Sequence, residues 1–91
     1  MAASITFMSA GERRVHIREL GRKVFDPSLT TVQRDRAFDD LIGLSRDPSV
    51  GRPQVEVGLE LTRVIERSTR YGKEAQVALI DMRAAWEEAG V

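Results

Sequence analysis

The sequence predicts an all-α protein, a compact four-helix domain with short connections, and three observations carry that expectation. Apolar residues recur at three- and four-residue intervals through most of the chain, which is the period of one helix face. Helix-start and helix-stop residues punctuate those stretches, with Asp-Pro at 26–27 and 47–48 and glycine at 72 and 90. The segments between them are only a few residues long, as expected for neighbouring helices that pack antiparallel or cross steeply.

The first helix is expected over about 10–25. Ser9 followed by Glu12 is a capping-box pattern, and Ile17, Leu20 and Val24 recur along one face that Phe25 closes. Asp26-Pro27 stops it, because a residue before proline is pushed out of the α region. The second helix, over about 30–46, starts among Asp26, Ser28, Thr30 and Thr31, all good N-cap types. Its inner face is Ala37, Phe38, Leu41, Ile42, Leu44 and Ser45, while Arg34, Asp35, Arg36, Asp39 and Asp40 look outward. The tripeptide Asp-Pro-Ser occurs at 26–28 and again at 47–49, which reads as repeated helix punctuation.

Residues 53–71 support two templates. Val55 to Leu61 alternate with period two, as a half-buried strand does, and a strand over 54–62 would pair with Ile5-Thr6-Phe7 or with a second copy of the chain. Val57, Leu61, Val64, Ser68 and Tyr71 form a helical stripe over a longer window, so helix is the preferred assignment. As a helix the segment is apolar around much of its early circumference, which places it centrally in the domain or against a partner. Gly58 would let another backbone approach, and Pro53 suits the first turn. Gly72 marks either the end of this helix or a kink. The fourth helix, over about 73–89, has the inner stripe Ala75, Ala78, Leu79, Met82 and Trp86, widened by Val77, Ile80 and Ala84, and Gly90 ends it.

At 91 residues the chain is expected to form one domain, with 1–8 as a loosely ordered N-terminal segment. So small a domain has a thin stability margin, for which association is a common remedy. Positive and negative charges balance at 14 each, so no net field draws the molecule to nucleic acid or an acidic membrane. Cysteine is absent, which removes thiolate chemistry and fits a reducing, cytoplasmic setting. No apolar run approaches the roughly 20 residues of a membrane span. Met1 to Ala10 has no basic residue ahead of its short apolar stretch, so no secretory signal is expected. The Ala, Ser and Arg content of 1–24 resembles a mitochondrial presequence, but Glu12 and Glu19 count against one.

No residue cluster matches a catalytic, metal or cofactor motif. His16 is the only histidine and has Arg13, Arg14 and Glu19 as its local company, without a second ligand at zinc spacing. Asp35 and Asp39 share a helix face, but Arg34 and Arg36 flank them in the manner of a solvated face. Calcium loops, phosphate loops and nucleophile elbows are absent from the sequence. The most distinct surface feature is basic. Arg14, Arg18 and Arg22 repeat every four residues up one side of the first helix, with Arg13 and Lys23 beside them. Such a stripe clamps carboxylates or phosphates, or it pairs with the acidic side of the second helix. Trp86, the only tryptophan, either closes the core or anchors a partner.

The run Leu41-Ile42-Gly43-Leu44, then Asp47-Pro48-Ser49-Val50-Gly51-Arg52, then the apolar helix through Val64-Ile65 resembles one unit of a HEAT-type helical repeat. The resemblance covers about a quarter of the chain and implies a binding module of packed helix pairs, whereas stable arrays need about three units. The expected function is therefore a non-enzymatic, protein-binding adaptor domain that self-associates as a homodimer and uses no cofactor or metal. Its expected partner contacts are Arg14, Arg18, Arg22, Lys23 and Trp86. The alternative is a small nucleic-acid-binding regulator that uses the basic face of the first helix.

Overall fold

The computed structural model describes residues 8–89, which form four α-helices: α1 (Ala10–Val24), α2 (Thr31–Ser45), α3 (Gln54–Arg67) and α4 (Gly72–Glu88). A single 3-10 turn, Pro48–Val50, links α2 to α3, and no strand occurs among the described residues. The all-α reading therefore holds, and 54–62 is helix. The expected loose segment 1–8, apart from Met8, and the strand partner at residues 5–7 lie outside the described residues, as does Gly90.

Local chemistry sets the helix starts. At α1, Ser9 Oγ accepts from the Glu12 N–H (3.2 Å) and Glu12 Oε1 accepts from the Ser9 N–H (3.1 Å). Thr30 and Gln33 make the same reciprocal pair at α2, at 3.2 and 2.9 Å, so orphan N–H groups at both termini are satisfied. The two Asp-Pro-Ser tripeptides adopt one geometry. Asp26 Oδ1 accepts from the Ser28 N–H at 2.9 Å and hydroxyl at 2.6 Å, and Asp47 Oδ1 from those of Ser49 at 2.9 and 2.7 Å. These Asx turns hold both carboxyls below the usual range, the serine hydroxyl being the largest cause.

The third helix is shorter than the stripe suggests. Ser68 is extended (φ −121°, ψ 122°) and ends α3, and its Oγ accepts from the Tyr71 N–H at 3.1 Å. Tyr71 is still buried, but from the residue just before α4, and Gly72 opens α4. The Tyr71 ring stacks on Phe38 of α2 (centroids 4.6 Å apart), and its hydroxyl donates to Asp35. Arg70 grips the same carboxylate with Nε at 3.1 Å and Nη2 at 2.9 Å. Asp35, expected to face solvent alone, thus ties α2 to the α3–α4 corner. Arg34 turns back to the carbonyls of Asp26 (3.1 Å) and Leu29 (2.7 Å).

The helix stripes meet in one core. Ile17, Leu20 and Val24 of α1 and Phe38, Leu41 and Leu44 of α2 face Val57, Leu61 and Val64 of α3 and Ala75, Ala78 and Met82 of α4. Helix α3 packs on all three others, which gives it the central position that its wide apolar surface requires. Central position does not cover the whole surface. Val55 and Leu59 remain 60% and 50% exposed, as do Val77 (52%) and Ile80 (59%) of α4, so these did not join the core. Ala84 is exposed as well, and Phe25 caps α1 at the surface instead of closing its inner face. Gly58 admits side chains of α4 and not a backbone: a Cβ there would lie 3.2 Å from Met82 Cε and near Leu79 and Trp86.

Candidate partner-binding cleft

Two concave surfaces flank α3, and they divide the arginine stripe of α1 between them. The larger is an open-sided cleft of about 1030 Å³ between the start of α1, the 3-10 turn, the start of α3 and the end of α4. Its apolar wall comes from Pro48, Val55, Met82, Ala85 and Trp86. This wall exists because α4 runs past the end of the core it covers. Met82 is buried under Gly58, whereas Trp86, one turn on, is only partly covered.

The polar rim is unevenly paired. Asp81 accepts from Arg46 at 3.3 Å, and Glu56 is held by Arg18 of α1. The guanidinium groups of Arg14 and Arg52, also on the rim, have no hydrogen bond or ion pair among the described residues. Arg13, next to Arg14, is committed differently, donating to the carbonyls of Ser49 (3.2 Å) and Val50 (3.1 Å) and so fastening α1 to the 3-10 turn. Gly51, with φ +73°, supplies the left-handed bend that carries the chain from that turn to Arg52.

Gln54, the first residue of α3, lines the cleft and is 8% exposed. Its Nε2 donates to the carbonyls of Leu44 (3.1 Å) and Ser45 (3.0 Å), the last two residues of α2. Two carbonyl partners fix which end of the amide is nitrogen. Its Oε1 is buried and has no hydrogen-bond partner among the described residues.

The smaller cleft, about 430 Å³, lies between α1 and α3 and gathers Arg18, Arg22, Arg63 and Arg67 around Asp26 and Glu60. Its cations are mostly occupied: Arg22 bridges Glu19 and Asp26, and Arg63 holds Glu60 at 2.7 Å. Glu60 is 4% exposed, and burial pushes its carboxyl above the usual range against the opposing pull of Arg63.

Of the residues expected to meet a partner, Arg14 and Trp86 converge in the larger cleft, while Arg18 and Arg22 line the smaller one. Lys23 lines neither, and His16 sits half-buried on α1 outside both. Among the described residues the expected pairing of the stripe with the acidic side of α2 does not occur. Arg18 reaches Glu56 of α3 and Arg22 reaches Glu19 and Asp26 at its own helix end, because α1 presents that side to α3. Sequence reasoning missed Arg52, Gln54 and the exposed role of Val55. Arg52 and Gln54 bracket Pro53 at a helix start, a position that carries no signal of depth or pairing.

Among the described residues no group of three or more acidic or histidine side chains is placed to hold a metal ion, and no helix is long and apolar enough to cross a membrane. Comparison of the chain with protein-family models, curated proteins and solved structures gives no match.

Proposed function

We propose that this chain is a non-enzymatic, protein-binding helical domain that docks a segment of its partner in the larger cleft. The observation that supports it is the combination of a continuous apolar wall, centred on Trp86 and Val55, with two rim guanidinium groups that no carboxylate of the described residues neutralises. Partly covered aromatic side chains beside unpaired arginine make the typical anchor of a protein interface. The test is a selection of short random peptides against the immobilised domain, repeated on Ala85→Trp. Ala85 is exposed, so the bulky ring fills the cleft without entering the core. Binders that fail on the filled variant are the expected result. If every selected peptide binds both forms equally, the cleft is not the docking surface.

Self-association is a second reading, favoured by the exposed Val77 and Ile80 on one strip of α4 and by Leu59 on α3. Sedimentation equilibrium at high micromolar concentration checks it, and a strict monomer removes it. Nucleic-acid binding through α1 has weaker support. Arg18 and Arg22 already hold Glu56, Glu19 and Asp26, so a polyanion would have to displace three carboxylates.

A further inference from the structure

We infer that the cleft selects an acidic peptide segment with an apolar anchor. The anchor packs on Trp86 and Met82, and carboxylates of the segment pair with Arg14 and Arg52. This inference rests on the docking function proposed above and names the chemistry of its partner.

Two independent features converge on that chemistry. The first is charge. Of the three arginines on the rim, Arg46 is matched by Asp81, and the rim carboxylate Glu56 is taken by Arg18 from outside the cleft. Arg14 and Arg52 are left over, so among the described residues the rim carries two uncompensated positive charges in a molecule whose formal net charge is zero. A planar guanidinium beside an apolar wall favours a carboxylate that can take two parallel hydrogen bonds.

The second feature is size. At about 1030 Å³ the cleft reaches the upper end of the roughly 300–1,000 Å³ typical of small-molecule sites, and it is open along one side. That space suits several residues of chain better than a single small acid.

The experiment uses the peptides that Ala85→Trp rejects. Trp86 is the only tryptophan, so its emission reports occupancy of the cleft directly. The expected binders carry a bulky apolar residue flanked by Asp or Glu. Arg14→Glu with Arg52→Glu should weaken them at least about tenfold, and peptides with Lys in place of the acids should regain binding on that variant. Binders that Ala85→Trp rejects but that lack acidic bias and ignore the arginine reversals would overturn this inference and leave the docking function standing. No binder sensitive to Ala85→Trp would remove both. If the wild type is a dimer that Ala85→Trp dissociates, the occupant is a second copy and the peptide assignment falls. An oligonucleotide that displaces the selected peptides would likewise overturn it.

Discussion

Replacing Gly21 by alanine tests how α1 and α3 meet. A Cβ on Gly21 would lie 3.0 Å from Glu60 Cγ and 2.8 Å from Cδ, and closer still to Oε1. Glu60 is buried, and its other oxygen accepts from Arg63 at 2.7 Å, so the carboxylate has little room to swing aside. Two effects oppose each other. Alanine inside a helix is favoured over glycine by about 1 kcal/mol, and overpacking a filled contact costs about 1–3 kcal/mol. The overlap involves the middle of the Glu60 side chain as well as its tip, which puts the packing cost in the upper part of that range. The net expectation is a loss of about 1–2 kcal/mol. Urea unfolding followed by far-UV circular dichroism and Trp86 emission should show the midpoint falling by about 1–2 M for a slope of about 1 kcal/mol per molar. Glu60→Ala removes all three clashing atoms, so in that background Gly21→Ala should become stabilising by up to about 1 kcal/mol. A midpoint that rises on Gly21→Ala alone would refute the close approach, since only propensity would then remain.

The buried Glu60 also predicts a pH dependence. A carboxyl raised by burial keeps its proton to higher pH in the folded state than in the unfolded chain, so its contribution is fully present below about pH 4.3 and lost as pH rises through the raised value. Glu60→Gln should therefore be more stable than wild type at neutral pH, with the difference shrinking as the pH falls toward 4; a pH-independent difference in urea midpoints would contradict this. Tyr71→Phe removes the hydroxyl bonded to Asp35 but keeps the stack on Phe38, and should cost about 1 kcal/mol in the same assay. Arg70→Ala, acting on Asp35 from an exposed position, should leave the midpoint nearly unchanged. Asp35 is held below the usual carboxylate range, first by Arg70 and then by Tyr71, so what it contributes is present above its unfolded value and is lost on acidification. Thr30→Ala, which opens the capping box of α2, should cost about 1 kcal/mol, and an unchanged midpoint would argue that the cap is not formed in solution.

Local chemistry made much of the architecture legible. Ser9 with Glu12, Thr30, the two Asp-Pro steps and the inner stripes of α1, α2 and α4 act within one or two turns of the chain, and helices form where they indicate. The stripe through Tyr71 misled about the end of α3 because periodicity is blind to one extended residue. Ser68 breaks the helix, yet Tyr71 returns to the core from the next element. For the candidate site, Arg14 and Trp86 were singled out by type, but nothing local indicated that they share a cleft while Arg18 and Arg22 do not.

The sequence by itself thus determined that this protein is a bundle of helices, where three of them start and stop, and which side of each is apolar, because those properties depend on neighbours a few residues away. Only the tertiary structure decided that α3 is central, that Glu56 belongs to Arg18, that Gln54 spends its amide on the end of α2, and that Arg14 and Arg52 are left with no carboxylate among the described residues. Those outcomes depend on the packing of residues far apart in the chain, where burial and charge neutralisation are shared among several helices at once.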